Sequence, residues 1–293
     1  MLRTLTFVLC TALFLASGCG GKHVDAVADE GGAVQEARLT AMAYNIRVGA
    51  GDAVTKPAPP HDETLRAIAK AITDSGADIV LLQEVDNGVR RSGGTDQAAL
   101  LAAETGMHHA FAEALPLQGG SYGVALLSRW PIRSTEVLRL PFIDYAARGE
   151  DKPAYFSEPR VALAATLDTP HGTVIAISTH LGLTGEQRKL QTARIAEYVA
   201  AQDPAVPVLL AGDFNAAPDS PALLGLRALM HEAFAQCSPG VFPPTFPSHK
   251  PDRTIDYLFV RGGGAEFESV RVLPLRLSDH CPVEAVLSWK SAE

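Results

Sequence analysis

Apolar positions along this chain fall into short runs broken by turn residues, and the runs predict strands interleaved with helices. Residues 39–44 alternate enough to open a sheet. Residues 62–75 carry Leu65, Ile68, Ala69 and Ile72 on one helical face, with Asp62 placed to cap the start and Gly76 to end it. Residues 78–83 form a continuous apolar strand, and residues 95–105 a second helix closed by Gly106. Strands follow at 122–128 and 160–167. Pro170, His171 and Gly172 make a turn, and residues 174–179 return as a strand. Thr184 opens a long helix to about residue 201, with Gln187 placed for a capping box. Strands at 206–211, 255–260, 267–272 and 283–288 complete the pattern. Strands interleaved with helices, many joined by short turns, suggest two mixed sheets packed together with helices outside. Periodicity alone leaves a single-sheet α/β fold open.

Five of these runs end in polar residues suited to a metal or a phosphate. The most informative is Leu209-Leu210-Ala211-Gly212-Asp213-Phe214-Asn215. Residues two apart on an extended segment point to the same side, so Asp213 and Asn215 can face one bound group. A carboxylate can take a proton from water, and an amide can donate to a phosphoryl oxygen. Asp and Asn after Gly also suit a plain turn, but the buried approach from Val208 to Ala211 argues against a mere surface turn. The other four runs end at Asn45, at Gln83-Glu84, at His180, and at Asp279-His280.

Composition changes the picture at the N-terminus. The chain has 293 residues, 47% of them hydrophobic, and no visible repeat, which favours one domain over residues 38–290. Arg3 precedes an apolar stretch over residues 5–16 that is too short to span a bilayer, followed by Ala16-Ser17-Gly18-Cys19. Residues 1–18 read as a lipoprotein signal, with Cys19 left to carry lipid. Residues 19–37 are rich in Gly, Ala and acids and read as a flexible tether. The expectation is an extracytoplasmic monomer anchored to a bacterial membrane, on the outer-membrane or periplasmic side where there are two membranes. Cys10 leaves with the signal. Cys237 and Cys281 remain where disulfides are permitted, but the position of Cys281 at the start of an apolar strand favours a buried thiol. No cysteine or histidine cluster suggests zinc. The net charge of −8 lacks the attraction that drives sequence-independent DNA binding, which weakens a nuclease reading.

Taken in order, Asn45, Glu84, His180, Gly212-Asp213-Phe214-Asn215, Ile255-Asp256-Tyr257 and Ser278-Asp279-His280 resemble the endonuclease/exonuclease/phosphatase family of metal-dependent phosphoesterases. The resemblance runs over residues 39–287. It implies a four-layer α/β/β/α sandwich, as in deoxyribonuclease I, and hydrolysis of phosphoesters with Mg²⁺, or Mn²⁺ in its place. By resemblance Glu84 is the leading metal ligand, with Asn45 and Asp279 completing or supporting the site. Asp213 would orient and deprotonate water, and Asn215 would bond the pentacovalent phosphoryl group. Asp256 would fix His280, which would bind a phosphoryl oxygen or protonate the leaving group. His180 would be the second active-site histidine. Arg160 matches a family arginine that either binds phosphate or holds its loop through an ion pair.

Two departures narrow the substrate. Arg47 stands where abasic-site endonucleases place an acid, which puts a second metal position in doubt. Asp86 stands where deoxyribonuclease I carries an arginine for the DNA minor groove. The segment from Asp86 to Gln97, with Arg90, Arg91 and Ser92, resembles a bacterial branch of the family. There Arg91 would meet a phosphate or polar headgroup, or else form a solvated salt bridge. The substrate expectation is therefore a phospholipid headgroup or small phosphoester, with DNA or RNA as the alternative. A catalytically silent binding lipoprotein is a third reading. A serine esterase would need a GxSxG elbow between a strand and a helix, and the one match, Gly119-Gly120-Ser121-Tyr122-Gly123, leads into the 122–128 strand instead. The loops over residues 141–159 and 236–253 are long enough to shape substrate choice.

Overall fold

A computed structural model describes residues 36–56 and 61–290. The signal, Cys10, Cys19 and the tether as far as residue 35 lie outside the described residues. The elements run in the order β1 (Glu36–Asn45), α1 (His61–Ser75), β2 (Ile79–Asn87), α2 (Gln97–Thr105), β3 (His108–Leu117), β4 (Gly120–Ser128), β5 (Ile132–Arg139) and β6 (Val161–Thr169). Then come β7 (Gly172–His180), α3 (Gly185–Ala200), β8 (Val208–Asp213), α4 (Leu224–Leu229), β9 (His231–Glu232), α5 (Ala233–Cys237), β10 (Asp256–Arg261), β11 (Glu266–Val272) and β12 (Val283–Lys290). One six-stranded sheet has the order β11-β12-β1-β2-β4-β3, and the other β5-β6-β7-β8-β10-β9. Both are mixed: β1 runs parallel to β2, β7 runs parallel to β8, and their other partners are antiparallel.

The alternation in β1 sets the layers. Leu39, Ala41 and Ala43 join the main apolar core, which includes residues from both sheets. Met42 and Tyr44 face the other way, into a second core with Leu65, Ile68 and Ile72 of α1 and Leu101 of α2. Ile195 and Val199 of α3 pack with β8 in the main core. The four-layer α/β/β/α expectation holds, and the single-sheet alternative does not.

Several boundaries differ from the sequence pattern. Strand β1 begins at Glu36, so the domain starts two residues before 38 and Ala37 is core rather than tether. Helix α2 starts at Gln97 because Asp96 caps it, accepting from the Ala99 N–H at 3.0 Å. Strands β3 and β5 were not anticipated. Each is the edge of its sheet, and β5 is exposed at most positions, so neither needs a continuous apolar run. Thr184 caps α3 as expected, but Gln187 accepts from the Thr184 hydroxyl at 3.2 Å instead of closing a capping box. Cys237 and Cys281 are free thiols, the second buried.

Candidate active site

Strand ends from both sheets meet at one pole of the sandwich. His180 ends β7, Asp213 ends β8 and Asp256 begins β10. The register sets all three side by side, because Asp213 pairs with His180 on one flank and with Asp256 on the other. From the other sheet come Asn45, the last residue of β1, and Glu84 in β2. Glu84 sits at a break in the β2–β4 register, between Leu82 and Val85, with φ of +54°. A bulge of this kind re-aims a side chain, and here it turns Glu84 into the cleft. Asp279 and His280 precede β12. The cleft has a volume of about 790 Å³ and is lined by Glu84, Asp213, Asn215, His180, His280, Asp279, Arg160 and Arg91 among others. Asn45 and Asp256 lie behind that wall, both buried. All ten site residues expected from the sequence are thus brought together.

His280 is held from behind. Its Nδ1 lies 2.9 Å from Asp256 Oδ2, which also accepts from the Thr245 hydroxyl at 2.5 Å. Its Nε2 lies 3.6 Å from Asp213 Oδ2. Burial works against charge on this ring, but Asp256 and Asp213 together outweigh it and push the pKa up to about 10. His280 is therefore an imidazolium with Nε2–H free to donate. Asp213 is raised by burial to about 7, against the pull of the His280 cation. Its Oδ1 accepts the Asn215 backbone N–H at 2.9 Å, and its Oδ2 accepts from Asn45 Nδ2 at 3.1 Å.

His180 is held in the opposite state. Arg160 Nη1 lies 3.2 Å from its Nδ1. A guanidinium can only donate, so Nδ1 must accept and the proton of the neutral ring sits on Nε2. That Nε2–H faces Asp213 Oδ2 at 3.4 Å, and its 3.0 Å approach to Asn215 Nδ2 is not a hydrogen bond in this tautomer, because both nitrogens are donors; the amide donates instead to the Leu181 carbonyl at 3.0 Å. Burial first, then Arg160 and His280, drive the His180 pKa well below 6.5. We expect His180 to stay neutral, with its proton on Nε2, as the pH falls through 6.5; ring nitrogen chemical shifts read this directly. Protonation at the ordinary value would show that Arg160 does not hold it.

Of the two roles left open by the sequence, Arg160 fills the ion-paired one, and it does so on the cleft wall. It is buried, pairs with Glu158 at 3.0 Å, donates to His180, and still lines the cleft with a buried Nε that has no partner. Arg91 is likewise both salt-bridged and on the cleft wall, bonded through Nε and Nη2 to the buried Asp86.

Asp213, Asp256 and His280 have ligand atoms within 4.8 Å of one another, close enough to surround an ion. The bond from His280 to Asp256 and the positive charge on the ring make this trio a poor metal nest. The donor set of Glu84 and Asp279 fits a hard dication better. Both are carboxylates on the cleft wall, and Asp279 is raised by burial, lowered by His280 and raised again by Glu84. A cation between them would relieve that repulsion. Asn45 supports this set: its Nδ2 donates to Glu84 Oε1 at 3.0 Å, while its Oδ1 is taken by the Arg47 N–H at 3.0 Å.

Sequence reasoning missed much of the lining. Arg47, read only as a missing acid, pairs with Asp279 at 3.3 Å. Phe246 packs against His280 in a tilted pair with ring centroids 4.8 Å apart, and Arg253 lies over Phe246 at 5.4 Å. Length alone had marked the loop over residues 236–253. Tyr122, buried in β4, had no signal apart from its strand.

Three comparisons bear on this arrangement. The family model described as "Endonuclease/Exonuclease/phosphatase family" matches residues 42–280. A protein of Escherichia coli K12 called YbhP and described as uncharacterized is 30% identical over 237 residues, covering 75% of this chain and 87% of its own length. Among solved structures, an endonuclease/exonuclease/phosphatase from Beutenbergia cavernae aligns with TM-score 0.67 at 26% identity, over 86% of this chain and 72% of that one. The mannosyl-6-phosphatase Bt3783 of Bacteroides thetaiotaomicron aligns with TM-score 0.65 at 16% identity, over 85% and 99%, which shows a shared fold.

Proposed function

The chain belongs to the endonuclease/exonuclease/phosphatase family, and from that premise we propose that it is a Mg²⁺-dependent hydrolase of small phosphoesters. The observation that carries this reading is the Asp213 environment: a buried carboxylate whose Oδ2 lies 3.4 Å from His180 Nε2 and 3.6 Å from His280 Nε2. Asp213 takes a proton from water, and the water oxygen forms a bond to phosphorus. The bond from phosphorus to the leaving oxygen breaks, and that oxygen takes the Nε2 proton of His280. Asp256 keeps His280 charged until that transfer. Asn215 and the Nε2–H of His180 donate to the phosphoryl oxygens. Glu84 and Asp279, steadied by Asn45, would hold a dication, which would supply charge neutralisation at the phosphoryl group. Mn²⁺ suits the same oxygen donors.

Asp86, buried and paired with Arg91, offers DNA no arginine at its own position, which favours small substrates over a duplex. The Ala16-Ser17-Gly18-Cys19 segment supports a lipid-anchored, extracytoplasmic setting. A lipid headgroup remains within the proposed substrate class.

The test is hydrolysis of a chromogenic phosphomonoester and phosphodiester beside plasmid nicking, each with Mg²⁺ and with chelator. Small-ester turnover lost on chelation, with intact plasmid, supports the proposal. Nicking that disappears with chelator and in Asp213→Ala would replace it with a nuclease. Glu84→Gln is expected to lower turnover by about 100-fold or more. Unchanged turnover would remove Glu84 from the metal site.

A further inference from the structure

We propose that the cleft holds a second anion-binding position, formed by Arg91 over Tyr122, for a second anionic group on the substrate that carries the reacting phosphoryl. This rests on the phosphoester reading and narrows its substrate class.

Arg91 is fixed before any ligand arrives. Asp86 Oδ2 accepts from Arg91 Nε at 2.9 Å and from the Ser92 hydroxyl at 2.9 Å, and Asp86 Oδ1 accepts from Arg91 Nη2 at 2.8 Å. Asp86 has no exposed surface, while the Arg91 side chain keeps 38% of its own. The pair therefore uses one edge of the guanidinium and leaves Nη1 outside it. An ion pair with a fully buried carboxylate is weak evidence for added stability, since desolvation offsets most of the attraction. What it does supply is a guanidinium whose rotamer freedom is already spent, which lowers the entropy cost of ligating an anion.

Its place in the cleft sets the spacing. Asp86 pairs with Tyr122 across β2 and β4, and the Arg91 guanidinium carbon lies 5.2 Å from the Tyr122 ring centroid. Tyr122 lines one small pocket together with Arg160 and His180, which are bonded to each other. Arg91 is thus about one aromatic ring away from the groups facing the phosphoryl. Leu115 and Leu117 line the cleft on this side, so the linker between the two anions meets apolar surface. A cleft of about 790 Å³ has room for far more than one phosphate.

The experiment compares binding of propyl phosphate and propanediol bisphosphate by calorimetry, with Mg²⁺ present and turnover blocked by Asp213→Asn. The bisphosphate is expected to bind about ten-fold more tightly, one charge-assisted contact's worth. That preference should shrink with salt. It should vanish in Asp86→Asn/Arg91→Gln, which removes both charges without leaving a buried carboxylate unpaired. Arg91→Lys, which keeps a cation beside Asp86, should retain part of it. Equal affinity for the two ligands in the Asp213→Asn protein would overturn the proposal and leave Arg91 a loop staple. A preference that survives in the folded double variant, or is undiminished in Arg91→Lys, would also overturn it. Tight binding of propyl phosphate separates these failures from failure of the phosphoester reading, which would abolish binding of both ligands and this proposal with it.

Discussion

Asp213→Asn is expected to lower kcat/KM for phosphoester hydrolysis by about 10²–10⁴-fold while leaving the fold intact. The amide is nearly isosteric. It can keep the contact to the Asn215 N–H through its oxygen, so loss of activity reports chemistry and not collapse. The sign of the pH dependence follows from the direction of two shifts. Asp213 must be ionised to accept a proton, and burial raises its pKa to about 7, so activity should climb with pH through that region. His280 must be protonated to donate, and its pKa is raised to about 10, so activity should fall as pH passes that value. A cation near Glu84 favours ionised Asp213, so raising Mg²⁺ should move the acid limb to lower pH. The limb should be absent from the residual activity of Asp213→Asn. A variant that keeps wild-type turnover, or keeps the acid limb, would mean that another group accepts the proton.

The strand-end residues were legible because burial and polarity change abruptly there. An apolar run over residues 208–212 announces a central strand, and the carboxylate of Asp213 that follows has nowhere to go but the end of the sheet. The same contrast marks His180 after Ile175, Ala176 and Ile177. What no pattern could convey was the state of each group. His180 and His280 look alike in sequence, each a lone histidine at an element end. One becomes neutral because it is buried and has Arg160 beside it, the other charged because its neighbours are Asp256 and Asp213. Those neighbours are 20 and 24 residues away in the first two cases and come from separate strands and loops. Glu84 was read as a strand-end acid, whereas β2 continues to Asn87 and the residue reaches the cleft through a bulge. The edge strands β3 and β5 escaped for the converse reason, since a strand with only one partner has less apolar pattern to display.

Gly212→Ala should damage stability more than any substitution on the cleft wall. Gly212 pairs with Thr179 between β7 and β8, with φ of +156°, and a Cβ there would lie 1.9 Å from the Thr179 carbonyl oxygen. That oxygen belongs to backbone and cannot rotate away. Thr179 is fixed from its other side by pairing with Ala162 and by its hydroxyl bond to the Val161 carbonyl at 3.2 Å. The two strands would have to part just where they deliver His180 and Asp213. A loss of about 4–5 kcal/mol is reasonable for a backbone clash that a rigid core cannot absorb. For a domain of this size that corresponds to a Tm lower by about 10–20 °C. Gly225→Ala is the matched control, since that glycine lies in α4 with nothing within 4 Å of its Cβ position. It should hold or raise Tm slightly, because alanine restricts the unfolded chain and suits a helix. Activity of Gly212→Ala measured well below its melting point should still be depressed, as the spacing of His180 and Asp213 would be altered in the folded state. A melting temperature close to that of the control, with normal turnover, would show that β7 and β8 can separate without disturbing the pair they carry.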